Sequence, residues 1–595
     1  MSEGELLLRE GHRALGEGRL DAAEAALGAA RSKLPDHPDV LHLCGFLALQ
    51  RGNESLAAEL IAAAIVRAEA AGQRRGEFHL NLGNALKALR RNGEALEAFR
   101  RAVEASPSLA EAHNNLAAAL EAASRWLDAA GAYRRALALA PAVDGIWINL
   151  AHVLMQIGDA AGAEAPMRRV HALDPSRPTA LAELISLVHC LDTVTAQDEL
   201  ALCRRFDRLY AQPLARELPP PPSDRSADRR LRIGYIGAGT FCQHTTAFTI
   251  LPLVEAHDRL NYDIVCYSDL PLDAEDLVSR RFRTAAASFR SIHGLSDAAL
   301  AALIREDRID IAVDVVGYPS GSRLLALARR PAPVQVNLLL MGSFGLDAVG
   351  WAVGDCILTP PGSEDGFSER IERIELAYAY APILQTIPPL RAVASGRPIT
   401  FGSLNQIAKS SRHCLETWAR ILGQVPGSRL LLKARSFADA AVRQQYLDFF
   451  ARNGVAGERL DLRGWTPTQA AHIEVLDEID IALDPFPYGG VITTCEALWL
   501  GVPIVSLRGN RVLGRYGAAF LHSVGFPEWS VATIDDYIAT ATKLAADPSR
   551  LAALRQELRS RAGTCRLFDG QAFARSVEAG YRRIWRDWCG RADRS

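Results

Sequence analysis

The sequence has almost no net charge, no cysteine framework and no long apolar run, and each absence removes a class of protein. With 67 basic residues against 69 acidic ones, there is no global field for nucleic acid or an anionic membrane. Any charged ligand must be met locally. The ten cysteines are scattered without a CxxC pair, which argues against a zinc ribbon or disulfide scaffold and fits a reducing cytoplasm. No apolar run approaches the ~18 residues of a membrane span. The N-terminus, MSEGELLLREGHRAL, is acidic and amphipathic rather than basic and then apolar, so a soluble cytoplasmic protein is expected. The chain also lacks GxxxxGK[ST], which weakens a P-loop enzyme. In "IGYIGAGTFCQH", Gly234, Gly237 and Gly239 have the wrong spacing for a dinucleotide loop, which weakens hydride transfer.

What is present begins with a repeat. Pro107, Pro141 and Pro175 are 34 residues apart, as are Asn81, Asn115 and Asn149, and Ala95, Ala129 and Ala163. The large residues Phe99, Tyr133 and Met167 keep the same step. This resembles the tetratricopeptide repeat, in which small residues let two antiparallel helices pack closely and a proline ends the second. Two weaker units precede the three strong ones, giving about five. Stacked repeats form an extended surface on which another protein lies. Asn81, Asn115 and Asn149 should form a ladder on one face, where amides can donate to and accept from an acceptor's backbone; otherwise they are solvated or cap turns.

Beyond the repeats, "LPPPPSDRSADRR" (Leu218 to Arg230) reads as a stiff connector. Two series of β-rich runs alternating with helical stretches follow it, from "LRIGYIG" at Leu231 and from "ITFGSLN" at Ile399. Two parallel-sheet, Rossmann-like domains with a ligand cleft at their strand ends are expected. The segments are therefore a repeat array over 1–180, a helical connector and Pro-rich linker over 181–230, and two α/β domains over 231–396 and 397–595. A last helical stretch from Asp569 to Cys589 packs back across the domains.

At the strand ends of the second α/β domain lie Asn405, Gln406 and Lys409, and then "DPFPYGGVITTCEALW". A helix starting near Val491 would offer unpaired N–H groups and the hydroxyls of Thr493 and Thr494 to phosphate oxygens. Lys409 adds a full charge, and Glu496 could accept from a ribose hydroxyl. The alternative is that the threonines cap the helix and Glu496 completes a capping box.

Taken together, "FGSLNQIAK", "WARILGQVPGSRLLLK", "DEIDIALDPFPYGGVITTCEALWLGVPIV" and "RRPAPVQV" resemble the O-linked N-acetylglucosamine transferase and SPINDLY group, glycosyltransferase family 41. The resemblance covers Leu231 to Cys589. It implies a tetratricopeptide solenoid followed by an α/β GT-B fold, and an inverting, metal-independent enzyme with no cofactor that transfers a nucleotide-linked sugar to Ser or Thr of an acceptor protein. By motif match, Lys409 neutralises the leaving diphosphate beside Gln406, Thr493 and Thr494 hold phosphate, Glu496 the ribose and His472 the base. His244, in "GTFCQHTTAF", faces acceptor and sugar as a base or a binding group.

The pattern departs at Thr240-Phe241, at "LLLMGSFG" (Leu338 to Gly345) and at Val491-Ile492, all on the sugar-facing side. The short array and these loops resemble the flagellin-modifying transferases, which implies a CMP-activated nonulosonic acid such as pseudaminic or legionaminic acid and a role in flagellum assembly. Arg508, Arg511 and Arg515 are candidates to meet the carboxylate of such a sugar. Other readings are a UDP-N-acetylglucosamine-dependent transferase, a non-catalytic repeat adaptor and a nucleotide-sugar epimerase.

Overall fold

In a computed structural model, residues 1–215, 224–237, 239–243, 245–382, 388–390 and 397–592 are described. His244, and the part of the Pro-rich connector at 216–223, lie outside the described residues. By internal contacts the chain divides into two units, one of Met1–Asp174 with Ala438–Val442 and one of Pro175–Phe437 with Arg443–Ser595.

Within the first unit, Met1–Asp174 forms ten helices in antiparallel pairs, from Glu3–Gly16 and Leu20–Lys33 to Asp144–Gln156 and Ala160–Leu173. The periodic alanines explain the pairing: Ala95, Ala129 and Ala163 are buried, and Phe99, Tyr133 and Met167 fill the same place in successive pairs. Close approach also dictates Gly83, where a Cβ would stand 2.5 Å from the Phe99 ring. Pro107 and Pro141 lie in turns just beyond the second helix of their pairs, where a missing N–H costs nothing.

The second unit is built on two parallel sheets. The first holds β1 (Leu231–Gly237), β2 (Tyr262–Ser268), β3 (Ser288–Ser291), β4 (Ile311–Asp314), β5 (Val334–Asn337), β6 (Trp351–Gly354) and β7 (Arg370–Arg373), in the order β3-β2-β1-β4-β5-β6-β7. The second holds β8 (Thr400–Ser403), β9 (Arg429–Lys433), β10 (Leu460–Arg463), β11 (Ile481–Leu483), β12 (Ile504–Leu507) and β13 (Ser530–Val531), in the order β10-β9-β8-β11-β12-β13. Runs such as Ile481–Leu483 are buried throughout, as a sheet covered on both faces requires. In the second sheet the strand order reverses between β8 and β11, and such a switch point opens a crevice at the strand C-termini.

Two segments pack differently from their place in the sequence. The terminal helix Gly570–Ala592, placed by order in the second α/β domain and expected to pack back across the domains, lies against β5, β6 and β7 of the first. There Arg583 pairs with Glu372 at 2.6 Å, and Glu578 accepts from His257 Nδ1 at 2.8 Å. The helices Pro178–Val188 and Ala196–Phe206, expected in a connector, are built into the α/β unit: Arg204 bonds Asp347 at 2.6 Å, and a Cβ at Gly342 would meet the Glu199 carboxylate at 2.1 Å.

Candidate nucleotide-sugar site

The chain leaving β8 turns through Ile407–Lys409 and is tied to the chain leaving β11, where Ser411 N–H donates to the Phe486 carbonyl at 3.1 Å. This brings Lys409 over the ring of Tyr488, with the ammonium 3.9 Å from its centroid. An aromatic face attracts a cation without accepting a hydrogen bond from it. Among the described residues no hydrogen-bond acceptor takes this ammonium. Burial pulls its pKa down to about 8, opposed by Cys190 and Asp484. Gln406, beside it, is exposed.

Asp484, absent from the sequence-derived set, organises the other wall. Its carboxylate is buried and accepts from Gly490 N–H at 2.7 Å, Thr494 Oγ1 at 3.2 Å and Ser506 Oγ at 2.6 Å. Burial raises its pKa to about 6 against those bonds. Gly490 is required here, because a Cβ would lie 2.4 Å from Thr494 Oγ1 and 2.9 Å from Asn405 Oδ1. The helix Ile492–Trp499 then starts at Val491 with no side-chain cap, so the capping alternative for the threonines is not realised. Its first N–H groups stay available, as an anion site needs. The two threonines divide: Thr493 is partly accessible, whereas Thr494 is fully buried and gives its hydroxyl to Asp484. Thr493 shares a small crevice with Ser403, Leu404 and Asn405.

Glu496 is buried and already engaged: Gln469 Nε2 donates to it at 2.5 Å, and His472 Nε2 lies 3.1 Å from its other oxygen. His472, in the helix Gln469–Asp477, bonds Lys433 through Nδ1. Lys433 ends β9 and also donates to Thr466 Oγ1 at 3.0 Å. Burial depresses its pKa to about 8, with Glu496 acting in the other direction. Lys433, Gln469 and Asp484 were missed by sequence reasoning. Treating every strand end alike would have found Lys433 and Asp484, which end or follow β9 and β11 as Asn405 follows β8.

The arginines considered for a carboxylated sugar are mostly committed. Arg511 is buried and donates to the carbonyls of Val188 at 3.0 Å, His189 at 3.1 Å and Leu191 at 2.9 Å. Arg515 binds the carbonyls of Gly509 at 3.2 Å, Asn510 at 2.7 Å and Leu358 at 3.2 Å. Arg508 is exposed.

In the helical unit, Asn81, Asn115 and Asn149 lie on the first helices of consecutive pairs and each reaches back to the preceding pair. Asn81 Nδ2 donates to His42 Nε2 at 2.9 Å, Asn115 Nδ2 to Asn84 Oδ1 at 2.9 Å and Asn149 Nδ2 to Asn114 Oδ1 at 3.5 Å. All three are partly accessible.

Residues 194–385 and 394–577 match the model of glycosyl transferase family 41, and residues 76–109 match a tetratricopeptide repeat. The chain belongs to glycosyl transferase family 41. As a family 41 member it is 34% identical over 394 residues to a probable UDP-N-acetylglucosamine–peptide N-acetylglucosaminyltransferase SPINDLY of Solanum lycopersicum, which covers 65% of this chain and 41% of that protein. It is 26% identical to the Arabidopsis thaliana relative named SEC, over 61% of this chain and 38% of that one. The chain thus spans about two-fifths of the length of the curated relatives it matches. A solved structure of a mutant Thermobaculum terrenum O-GlcNAc transferase superposes with a TM-score of 0.77 at 33% identity, covering 87% of this chain and 98% of that one. The fold is a tetratricopeptide-type helical array followed by a GT-B pair of α/β domains. Among the described residues no helix is long and apolar enough to cross a membrane.

Proposed function

We propose that this family 41 protein is a glycosyltransferase that moves a sugar from a nucleotide-sugar to Ser or Thr of an acceptor protein recruited by the repeats. The observation that carries the reading is the Lys409 ammonium, unshared by any acceptor among the described residues and held over Tyr488, in the segment that leads from Asp484 into an uncapped helix start. Cleaving an anomeric bond to a diphosphate develops negative charge on the leaving group, and a preorganised cation in a partly dehydrated site stabilises that charge. Lys409, Thr493 and the N–H groups of the helix Ile492–Trp499 supply this stabilisation in our account, without a metal, while Thr494 shapes the wall through Asp484. Attack by the acceptor hydroxyl from the opposite face inverts the anomeric centre. By motif match His244 is proposed to serve the acceptor hydroxyl as a base or a binding group, and Asn81, Asn115 and Asn149 are the proposed acceptor-binding amides. Glu496 orients Gln469 and His472 toward the nucleoside.

For the donor we favour UDP-N-acetylglucosamine, the compound in the names of the matched relatives, over a CMP-nonulosonic acid. A nonulosonate carboxylate would call for a cation, and of the three candidate arginines Arg511 and Arg515 already satisfy backbone carbonyls, which leaves only the exposed Arg508. Flagellin enters as one acceptor arm of the test. The full chain is incubated with UDP-N-acetylglucosamine or a CMP-nonulosonic acid, flagellin or a Ser/Thr peptide library, and release of UDP or CMP is followed. Acceptor-dependent UDP release that Lys409→Ala abolishes is expected; equal release by Lys409→Ala overturns the role given to Lys409, and acceptor-dependent CMP release overturns the donor choice.

A further inference from the structure

Trp465 is 72% exposed, and it is the one tryptophan of nine left largely in water. A single exposed apolar side chain is ordinarily uninformative. This one stands where a chain of polar groups ends. It follows β10, the edge strand beside β9, and Lys433 Nζ lies 5.5 Å from its ring centroid. The same Lys433 bonds Thr466 and His472, and His472 in turn holds Glu496 near the helix start assigned to phosphate. Phosphate cradle, polar middle and exposed indole thus follow one another as the diphosphate, ribose and base of a nucleotide do.

We infer that Trp465 is the platform on which the nucleobase of the donor stacks, with Lys433 and His472 fixing the nucleoside beneath it. Every base has a π-face, so such a platform strengthens binding without choosing among bases, and choice falls to the polar groups below. The inference rests on the proposed reading of this site as one for a nucleoside diphosphate.

The full chain is titrated with UDP, GDP, CMP and inorganic pyrophosphate, in wild type, Trp465→Ala and Trp465→Phe. Because the indole is solvent-exposed, the substitutions leave the fold intact, which the melting temperature checks. The tightest nucleotide is expected to bind Trp465→Ala about tenfold more weakly, while pyrophosphate affinity stays the same and Trp465→Phe keeps most of the affinity. The loss should appear in donor KM rather than kcat, since stacking is equal in ground and transition states. Nucleotide quenching of tryptophan fluorescence should shrink in both variants. Nucleotide affinity unchanged in Trp465→Ala overturns this inference and leaves the donor reading standing, as does a rise confined to the acceptor KM. Binding of pyrophosphate with no nucleotide preference in wild type overturns the donor reading itself, and this inference with it.

Discussion

Lys409 is a cation kept where water is scarce, and this sets both its use and its cost. With a pKa near 8 it is charged at neutral pH and loses its charge as pH rises through 8. Transfer should fall on the basic side with an apparent pKa near 8. Lys409→Arg, which stays charged, should move that limb upward at a lower rate; an unchanged limb assigns the titration to another group. The sign for stability is opposite. The folded pKa lies below the unfolded value of 10.5, so the native state binds fewer protons between pH 8 and 10.5, and stability rises with pH across that window. Below pH 8 the full penalty of the buried charge is present. Lys409→Met should therefore raise the melting temperature at pH 7 by the equivalent of about 1–3 kcal/mol while abolishing transfer. Gly490→Ala tests the neighbouring wall: a Cβ 2.4 Å from Thr494 Oγ1 should cost about 1–3 kcal/mol in a denaturant melt and weaken nucleotide binding.

Elements fix what single residues can do. The ladder across the helices Pro38–Gln50, Gly76–Ala88, Ala110–Ala122 and Asp144–Gln156 consumes one donor of each asparagine on a side chain of the preceding pair, at a different position each time. At its start His42 stacks on Phe78 with ring centroids 4.1 Å apart and accepts from Asn81. Burial lowers its pKa to about 4, so the native state binds fewer protons than the unfolded chain between pH 6.5 and 4. Stability conferred by this contact is present above that window and lost as pH falls through it, up to about 3 kcal/mol. Hydrogen exchange of Pro38–Gln50 and Gly76–Ala88 should accelerate from pH 6.5 to 4 once intrinsic rates are removed, and His42→Phe should abolish that dependence. In the ladder itself, Asn115→Ala should raise acceptor KM several-fold with little change in melting temperature, because the side chain is partly accessible. A change in melting temperature alone makes the ladder structural.

At the scale of the whole molecule, what was legible in the sequence followed from periodicity and from strand ends. The 34-residue step of Ala95, Ala129 and Ala163 marks helix packing because each pair repeats the same close contact. The placement of Lys409 just after β8 and of Thr493 in the first turn of a helix was readable because a single segment carries each. Glu496 looked free because its partners come from elsewhere: Gln469 lies 27 residues before it, and Lys433 reaches the same cluster through His472. Thr494 looked equivalent to Thr493 until the fold turned one toward Asp484. The return of Gly570–Ala592 to the first sheet was only half legible. Its apolar face announces burial, but Tyr581 meeting Tyr235 at 3.4 Å is a pairing between the two ends of the α/β unit.

The central claim is that this fold transfers sugar to protein hydroxyls with Lys409 on the leaving group, and intact-mass analysis of an acceptor co-expressed with the full chain tests it most directly. Wild type should add one or more N-acetylhexosamine masses to the acceptor, removable by β-elimination and thus on Ser or Thr, and Lys409→Ala should add none. An acceptor whose mass is the same with wild type, with Lys409→Ala and without the protein would contradict the account.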